Sequence, residues 1–300
     1  MKINGIPIEA TFAEAFDMKA TRVVITAADL QWAHAAAAAF VGFGTSVIAC
    51  GIEMAVEMEL PADATPDGRP GVSVLAFAVS GKELEKQIPR RAGQCVLTCP
   101  TTALFAGIEG EKRVPLGKSL RYFGDGYQIS KWIDGRRYWR IPVMDGEFLC
   151  EEDTGRVDAV GGGNFFLFGR DVESVTTACR AAAAAIAKVP GAIAPFPGSA
   201  TRSGSKVGSK YAALHASTNE AYCPTMRGLV PTRLPEGTNV TMELVIDALT
   251  DSAVGQAMHA GIGAACHAGR PGALVGIGAG NYGGKLGRHH FHLHALLKTS

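Results

Sequence analysis

The sequence predicts an α+β fold of two lobes, each with an antiparallel sheet packed by helices. The chain has 300 residues, which exceeds a single domain of about 100–200 residues. Apolar residues make up 47% of the chain and charged residues 19%, so it can bury a substantial core. In both halves, apolar β-branched runs alternate with Ala-rich helical segments that end near glycine, as expected of repeated β-α-β units.

The first half is predicted to contain three strands and two helices. Asp29 is a natural N-cap, because its carboxylate can accept the free backbone N–H groups of a first helical turn. Gly42 and Gly44 follow the first helix and are typical of a helix end. The predicted strands cover 21–28, 45–52 and 71–79, and the predicted helices cover 30–41 and 83–91.

The second half repeats the pattern more clearly. Asp171 is expected to cap a helix that runs through Lys188, and Thr250 or Asp251 a helix that runs through His267. Both helices are followed by the same Pro-Gly-Ala sequence, at 190–192 and at 271–273, which suggests an internal duplication. The predicted strands cover 165–168, 193–196, 240–249 and 274–277.

Two β-α-β units in each half fit the split β-α-β-β-α-β arrangement of ferredoxin-like lobes. A doubly wound parallel sheet is the alternative that this pattern leaves open. Residues 109–153 are richer in charge and aromatic side chains, and we interpret them as an antiparallel meander with turns at Asp125-Gly126 and Asp134-Gly135. We therefore expect a first ferredoxin-like lobe over 1–155 and a second over 156–300.

Composition limits the location and the partners of the protein. The net charge of +1 gives no strong field to attract nucleic acid. The seven cysteines are odd in number and scattered, which favours reduced thiols in a cytoplasmic protein. Residues 1–16 lack the order of a signal peptide. Residues 32–52 are dominated by Ala and Gly, so we do not expect a membrane span there.

Three glycine-rich loops are candidates for ligand binding, at 161–164, 203–210 and 278–285. The last is similar to a phosphate-binding loop, but Leu286 stands where that motif requires Ser or Thr. No Gly-x-Gly-x-x-Gly opens a helix after a first strand, so a nicotinamide cofactor is not supported. Each loop either forms a tight turn, for which glycine is needed, or contacts a ligand through its backbone N–H groups.

Histidine and cysteine clusters are candidate metal sites. On a strand, His290, His292 and His294 would share one face, with His289 beside them. We favour a solvated terminal strand over a metal site, because no carboxylate or thiolate lies nearby in sequence. The Cys95–Cys99 pair has a spacing of three intervening residues, which favours core packing over zinc or redox chemistry.

Glu243 is the most informative carboxylate in the sequence. It stands inside the apolar run 240–249, where burial of a charge is costly unless it has a partner. Desolvation raises the pKa of a carboxyl group and makes it a usable acid or base near neutrality. The alternative is a strand residue whose side chain faces outward.

Long matching stretches resemble the formylmethanofuran:tetrahydromethanopterin formyltransferase family along essentially the whole chain. No single stretch is specific, but their shared order is. They are Thr11-Phe-Ala-Glu-Ala-Phe16, Thr65-Pro-Asp-Gly-Arg-Pro-Gly71, Gly93-Gln-Cys-Val-Leu-Thr-Cys-Pro-Thr-Thr102, Phe123-Gly-Asp-Gly-Tyr127, Gly162-Gly-Asn-Phe165, Pro195-Phe-Pro-Gly198, Gly204-Ser-Lys-Val-Gly208 and Gly280-Asn-Tyr-Gly-Gly-Lys-Leu-Gly287.

The resemblance implies two ferredoxin-like lobes, a cytoplasmic homotetramer, and formyl transfer between N5-formyl-tetrahydromethanopterin and the amine of methanofuran. The two carriers act as carbon-carrier substrates, and neither a metal nor a covalent intermediate is implied. The near-neutral, Ala-rich composition is more similar to the bacterial branch. There, related subunits work with formylmethanofuran hydrolase subunits in methylotrophy, toward formylmethanofuran and finally formate.

The resemblance also implies roles for particular residues. Glu243 matches a family carboxylate that acts as acid and base, and N–H groups of the glycine-rich loops would stabilise the oxyanion. Substrate contacts are carried over by motif to Asn164, Lys206, Asn281 and Lys285, since methanofuran bears carboxylates that a lysine can bind. Two alternatives are a non-catalytic scaffold or methanofuran-binding subunit of a formyltransferase/hydrolase complex and, more distantly, a metal-dependent hydrolase.

Overall fold

The computed structural model describes residues 1–268 and 272–298. The chain forms two compact units, and the first of them is discontinuous in sequence. Unit 1 consists of Met1–Asp17 and Val160–Ser300, and unit 2 consists of Met18–Ala159. The predicted lobes were consecutive segments that met near residue 155. The unit boundary at Ala159 lies close to that position, whereas the grouping of the first 17 residues with the second half was not anticipated.

The described residues form a mixed α/β fold with seven α-helices. Four are longer than ten residues and three are single turns. They are α1 (Leu30–Val41), α2 (Val47–Cys50), α3 (Gly81–Arg91), α4 (Gly117–Leu120), α5 (Val172–Ile186), α6 (Asp251–Ala268) and α7 (Leu293–Leu296).

The strands range from two to 17 residues in length. They are β1 (Lys2–Ile3), β2 (Ile6–Pro7), β3 (Phe12–Thr26), β4 (Thr45–Ser46), β5 (Ile52–Leu60), β6 (Gly71–Ala78), β7 (Ala103–Ala106), β8 (Lys112–Pro115), β9 (Ile129–Ile133), β10 (Arg136–Val143), β11 (Gly146–Glu151), β12 (Asp153–Gly169), β13 (Ala192–Ile193), β14 (Ser205–Val207), β15 (Ala216–Thr218), β16 (Val240–Ala248), β17 (Leu274–Gly278) and β18 (His289–His292). The long strands β3 and β12 each contribute residues to both units.

The sheet of unit 2 has the order β7-β3-β6-β5, and each neighbouring pair is antiparallel. Along the chain these strands alternate with helices as β3-α1-β5-β6-α3-β7. Strand β11 pairs with β7 in parallel, and β10 and β9 continue the sheet as the predicted antiparallel meander. Asp134 and Gly135 have φ values of 48° and 76°, which suit the two-residue turn between β9 and β10.

The first helix of unit 2 forms as predicted. The Asp29 carboxylate accepts a hydrogen bond from the Trp32 N–H at 3.0 Å, and α1 covers the predicted range and ends at Gly42. Its Ala-rich face packs on the sheet, where Ala33, Ala37 and Phe40 are buried. The helix α3 also agrees with the prediction, although it begins two residues earlier, after an N-cap at Ser80.

The strand predicted over 45–52 is wrong for its central residues, which form α2. Two side chains supply acceptors for the first turn: Ser46 accepts from the Ile48 N–H at 3.3 Å, and Glu53 accepts from the Val47 N–H at 3.0 Å. Gly51, with φ of 73°, then ends the turn before β5 begins. Local side-chain acceptors thus outweigh the β-branched composition of this segment.

The sheet of unit 1 has the order β17-β12-β16-β13, again with antiparallel neighbours. Its chain order, β12-α5-β13-β16-α6-β17, repeats that of unit 2 and supports the predicted duplication. Asp171 caps α5 through the Ser174 N–H at 2.8 Å. Thr250, rather than Asp251, accepts from the Ala253 N–H at the start of α6. In the second Pro-Gly-Ala sequence, Pro271 lies outside the described residues.

The N-terminal segment completes unit 1. Residues Phe12–Ala15 of β3 pair with β18, and Ile8 forms a parallel bridge with Ile277 of β17. The core of this unit joins Ile8 and Ala13 to the buried faces of α5 and α6. Among the residues described, no helix is both long and apolar enough to span a membrane.

Candidate functional site

Glu243 lies in the middle of β16, on the face of the sheet opposite the helices of unit 1. The alternate residues Leu244 and Ile246 are buried in the core formed with α5 and α6, so the period of two directs Glu243 to the other side. Across the sheet Glu243 is paired with Phe166 of β12. On the opposite edge its backbone N–H and C=O both bond to Thr201 at 2.8 Å. The backbone at this position is therefore held on both sides.

The Glu243 side chain is partly exposed at the base of a narrow cleft. Within the described part of the chain it forms neither a side-chain hydrogen bond nor an ion pair. Burial alone raises the pKa of this carboxyl group from 4.5 to about 7. Both protonation states are therefore accessible near neutral pH, as a group that alternately accepts and donates a proton requires.

The cleft around Glu243 combines an aromatic side with several hydroxyl groups. Gly204 borders the carboxylate directly, since a Cβ atom built there would lie 3.8 Å from Glu243 Oε2. The Thr241 hydroxyl is buried without a hydrogen-bond partner in the described structure. The lining residues are Phe166, Thr201, Arg202, Ser203, Gly204, Thr218, Asn219, Tyr222, Cys223, Thr241, Met242 and Glu243. Polar atoms thus converge on a site with one isolated acid.

Tyr222 forms one wall of this cleft, and no signal in the sequence singled it out. Its ring packs against Phe166, with 4.6 Å between centroids, and stacks on Phe168 at 6.1 Å. Burial raises the pKa of the phenol, the nearby Arg233 guanidinium opposes that rise, and the charges of Glu9 and Glu243 add to it. The phenol therefore stays protonated at neutral pH and can act as a hydrogen-bond donor.

The glycine-rich loop at 280–287 is organised by hydrogen bonds to side chains, so the expectation that its N–H groups are free is wrong for six of them, four of which donate to one carboxylate. Glu14 Oε2 accepts from Tyr282 and Gly284 at 2.7 and 2.8 Å, and Oε1 accepts from Leu286 and Gly287, both at 2.6 Å. Burial opposes ionisation of Glu14, but the four N–H donors outweigh it and hold the pKa below its usual value.

Two predicted substrate-binding residues, Asn164 and Asn281, form hydrogen bonds within the protein. Asn164 donates to the Gly280 carbonyl at 3.1 Å and accepts from the Gly280 N–H at 2.6 Å. Asn281 donates to Thr11 Oγ1 and to the Phe12 carbonyl, and its own carbonyl accepts from the Gly283 N–H. Both side chains thus shape the same loop that Glu14 holds.

The two predicted lysines differ in environment. Lys206 lies on β14 and forms a salt bridge with Glu220. Lys285 is exposed on the glycine-rich loop and forms no ion pair within the described residues. Lys206 lies near the cleft, because Gly204 and Thr218 of the same hairpin line it. Lys285 belongs to a different loop and does not line the cleft.

The terminal histidines do not converge on one point. His289 lies between Asp251 and Asp17, with nitrogen–oxygen distances of 2.6 and 2.9 Å. His290 Nε2 contacts the Gly287 carbonyl, whereas His294 Nε2 contacts that of Ile8. No group of three or more His, Cys, Asp or Glu in residues 1–268 and 272–298 could hold a metal ion. All seven cysteines are free thiols, and Cys95 and Cys99 are only partly buried.

A lone carboxyl group with a pKa near 7, set among hydroxyls, has the properties that acid–base group transfer requires. Two family models match the chain: formylmethanofuran-tetrahydromethanopterin formyltransferase at residues 1–143, and the proximal lobe of the same family at 146–296. The chain therefore belongs to the formylmethanofuran–tetrahydromethanopterin formyltransferase family.

Individual relatives agree with the family models. The chain is 62% identical to a protein of that name from Rhodopirellula baltica, over 99% of this chain and 93% of the relative. It is 50% identical to one component of the formyltransferase/hydrolase complex of Methylorubrum extorquens, over 99% and 97%.

Solved structures show the same fold. A chain of the Methylorubrum extorquens formyltransferase/hydrolase complex, crystallised with methylofuran, matches with a TM-score of 0.96 at 50% identity, covering 99% of this chain and 98% of that one. The formyltransferase from Methanosarcina barkeri matches with a TM-score of 0.92 at 45% identity, covering 99% and 100%. The mixed α/β fold is therefore shared with formyltransferases along nearly the whole chain.

Proposed function

We propose that this protein is a formyltransferase that moves a formyl group between N5-formyl-tetrahydromethanopterin and the amine of methanofuran. The observation that carries the proposal is the isolated Glu243 carboxyl, with a pKa of about 7, in a chain that belongs to this enzyme family along nearly its whole length. Tetrahydromethanopterin and methanofuran are the carbon carriers, and the chemistry of the site requires only proton transfer and group transfer.

The reaction is an attack of an amine on a formamide carbon. The neutral amine of methanofuran forms a C–N bond to the formyl carbon, whose oxygen becomes an oxyanion in the tetrahedral intermediate. The C–N5 bond to the pterin then breaks. Glu243 accepts the proton released by the attacking amine and delivers it to the departing N5, so it is regenerated in each turnover. Such proton transfer typically contributes ~10²–10⁴-fold.

Binding both carriers in one ternary complex supplies much of the remaining rate. Positioning two reactants replaces a bimolecular encounter and lowers the barrier by up to about 7–11 kcal/mol. We assign Asn164 and Asn281 to substrate binding at the 280–287 loop, where each accepts a hydrogen bond from a loop N–H group. We assign Lys206 and Lys285 to contacts with the carboxylates of methanofuran. Lys206 would make this contact from the edge of the cleft, where it is paired with Glu220.

We also propose that each unit is a ferredoxin-like lobe. The strand orders β17-β12-β16-β13 and β7-β3-β6-β5 support this. In both sheets, the first strand of the motif lies between its third and fourth strands. One helix connects the first strand to the second and another connects the third to the fourth, as in a split β-α-β-β-α-β arrangement.

We propose a cytoplasmic protein that assembles as a homotetramer and also binds formylmethanofuran hydrolase subunits. The relationship to a component of the Methylorubrum extorquens formyltransferase/hydrolase complex supports the hydrolase partners. Unit 2 exposes large aromatic side chains on and near the edge strand β9, including Phe123, Tyr127 and Trp132. Exposed aromatics of this kind are enriched at protein interfaces. The relationship to bacterial complexes favours flux toward formylmethanofuran, whose hydrolysis releases formate.

The test is formyl transfer by the purified chain alone, supplied with N5-formyl-tetrahydromethanopterin and methanofuran. Formation of formylmethanofuran at a rate that depends on Glu243 supports the transferase. If both carriers bind but the chain transfers nothing, even with hydrolase subunits added, the protein is a scaffold or methanofuran-binding subunit. The matched control is Glu220→Gln, which removes a nearby carboxylate that is paired with Lys206.

A further inference from the structure

The reaction requires a donor for the oxyanion, and the 280–287 loop supplies fewer donors than expected. Four of its N–H groups are occupied by Glu14. Asn164 and Asn281 occupy two more, those of Gly280 and Gly283. A donor next to Glu243 is therefore expected from another part of the cleft.

The phenol of Tyr222 has the required position. Its ring lies on Phe166, the residue that pairs directly with Glu243 across the sheet. Both Tyr222 and Glu243 line the same cleft. The stacking on Phe166 and Phe168 fixes the plane of the ring, so the hydroxyl is held in a defined direction without a contribution from substrate. A preorganised donor is more effective than one that must reorient during the reaction.

The hydrogen bonding of Tyr222 leaves its proton free for a ligand. A phenol has one donor and two acceptor lone pairs, and a guanidinium, which has no acceptor, leaves the phenol proton unused. Arg233 lies close enough to lower the phenol pKa. The Glu243 carboxyl forms no side-chain hydrogen bond among the described residues, and burial alone raises its pKa. The Arg233 backbone N–H bonds to the Ala221 carbonyl at 2.9 Å, and the next residue, Leu234, packs with Phe166 and Phe168. Arg233 is thus anchored beside the phenol.

A second unpaired group marks the same cleft as a binding site for polar atoms. The Thr241 hydroxyl lies two residues from Glu243 on the same face of β16 and is buried with no partner in the described chain. A buried hydroxyl without a hydrogen bond is costly, and a bound polar ligand removes that cost. Thr241 and Tyr222 therefore lie in one cleft with Glu243.

We propose that Tyr222 is a catalytic residue that donates a hydrogen bond to the formyl oxygen as the tetrahedral intermediate forms, and that Arg233 is its positioning residue. This proposal rests on the formyl transfer proposed above. Arg233 polarises the phenol and directs its proton into the cleft, while Glu243 moves the proton between the two nitrogens. The phenol remains protonated throughout, so no additional proton transfer is needed to balance the reaction.

The experiment compares Tyr222→Phe with the wild-type enzyme in the formyl-transfer assay. We expect kcat to fall by about 10²-fold, as for loss of one oxyanion donor, with KM for both carriers changed by less than about threefold, since the Phe ring keeps the aromatic packing. The matched control is Tyr211→Phe, at a tyrosine that is 74% exposed and outside the cleft, which should leave kcat unchanged.

Two further measurements separate catalysis from folding and test Arg233. Arg233→Ala should lower kcat by about tenfold in the wild type and have no further effect when combined with Tyr222→Phe, because the two groups act as one unit. Replacing Tyr222 by a fluorinated tyrosine keeps its shape but lowers its phenol pKa. Deprotonation of the phenol at high pH should abolish the activity, and with fluorotyrosine this loss should occur at a lower pH.

The outcomes distinguish this proposal from the proposed function. If Tyr222→Phe retains near-normal kcat while Glu243→Gln is inactive, Tyr222 is not the donor and the transferase assignment stands. If fluorotyrosine does not shift the pH at which activity is lost, Tyr222 is likewise not the donor. A wild-type chain that binds both carriers and never transfers formyl, even with hydrolase subunits, overturns both proposals.

Discussion

The two units repeat one strand order but treat the charged group on the face opposite the helices differently. Ser73 in β6 and Glu243 in β16 each lie seven residues before the helix caps Ser80 and Thr250. In unit 2, the Ser73 hydroxyl donates to Glu57 at 2.9 Å, and Arg22 binds both oxygens of Glu57 at 2.7 Å. In unit 1 the equivalent position is the carboxyl group itself, without an ion pair among the described residues.

A duplicated fold can thus present a carboxyl group without an ion pair in one of its two copies only. Glu57 is 7% exposed, and Arg22 and Ser73 together engage both of its carboxylate oxygens. Glu243 lies on a similar sheet with burial as the dominant influence on its pKa. The burial of an acid is therefore not sufficient for acid–base chemistry near neutral pH; the acid must also lack a permanent cationic partner.

The largest effect expected from this comparison is on turnover. Glu243→Gln removes the group that moves the proton, and we expect kcat to fall by ~10²–10⁴-fold. Glu57→Gln, measured in the same formyl-transfer assay on folded protein, should change kcat by less than about twofold. Equal losses in the two variants would contradict the assignment of the chemistry to unit 1 alone.

Glu57→Gln, which should have little effect on kcat, should have a large effect on stability. Glu57→Gln leaves Arg22 without its carboxylate, and we expect a loss of about 3 kcal/mol in the free energy of unfolding, at the lower end for a broken buried pair because Arg22 is partly exposed. Chemical denaturation at pH 7 measures this change. Arg140→Gln, which breaks an exposed pair with Glu147, is the control and should change stability by less than about 1 kcal/mol. A comparable loss in both variants would show that the buried pair has no special role.

The stability effect of Glu243 should depend on pH. Its pKa is raised above the ordinary value of 4.5, to about 7, so the folded state binds more protons than the unfolded state between these values. The contribution of this group to stability therefore falls as pH rises through that window. Glu243→Gln should be as stable as the wild type near pH 4 and about 1–2 kcal/mol more stable at pH 8. This difference is smaller than the one expected for a fully buried carboxyl group, because solvent in the cleft screens Glu243. Denaturation curves at both pH values test this, and a pH-independent difference would contradict the raised pKa.

The smallest effect is expected at the helix caps, a feature that the two units share. Asp29 and Asp171 cap the first helix of each unit through the same type of bond. Replacing either by Ala should cost about 1 kcal/mol, by similar amounts in both units and without change in kcat. Thermal unfolding of the two variants measures the loss. A much larger cost at one cap would indicate that this helix start has a role beyond local capping.

Sequence reasoning succeeded where the determinants are local. The Asp29 cap, the range of α1 and the Asp134-Gly135 turn depend on neighbouring residues. The strand predicted over 45–52 failed because Ser46 and Glu53 supply acceptors that favour a helical turn. Glu243 could be selected because a charge inside an apolar run is visible in the sequence, although its catalytic role came from the family resemblance and stays a proposal.

The rest of the candidate site depends on contacts between distant parts of the chain. Glu9 and Arg233 both influence the pKa of Tyr222, but no spacing relates the three residues in the sequence. Glu14 holds the glycine-rich loop from 268 positions away. For that reason the loop's N–H groups could be counted in the sequence, while the acceptor that occupies four of them could not be identified.

The discontinuity of unit 1 has a consequence for synthesis on the ribosome. Residues 18–159 of unit 2 emerge as one continuous stretch and can fold early, since domains generally fold as units during translation. Residues 1–17 leave the ribosome before unit 2, yet the strands that they pair with, β17 and β18, are made after it. Glu14 and the 280–287 loop that it organises therefore meet only after unit 2 has been made, so a chain truncated before residue 280 would contain Glu243 but lack the organised loop.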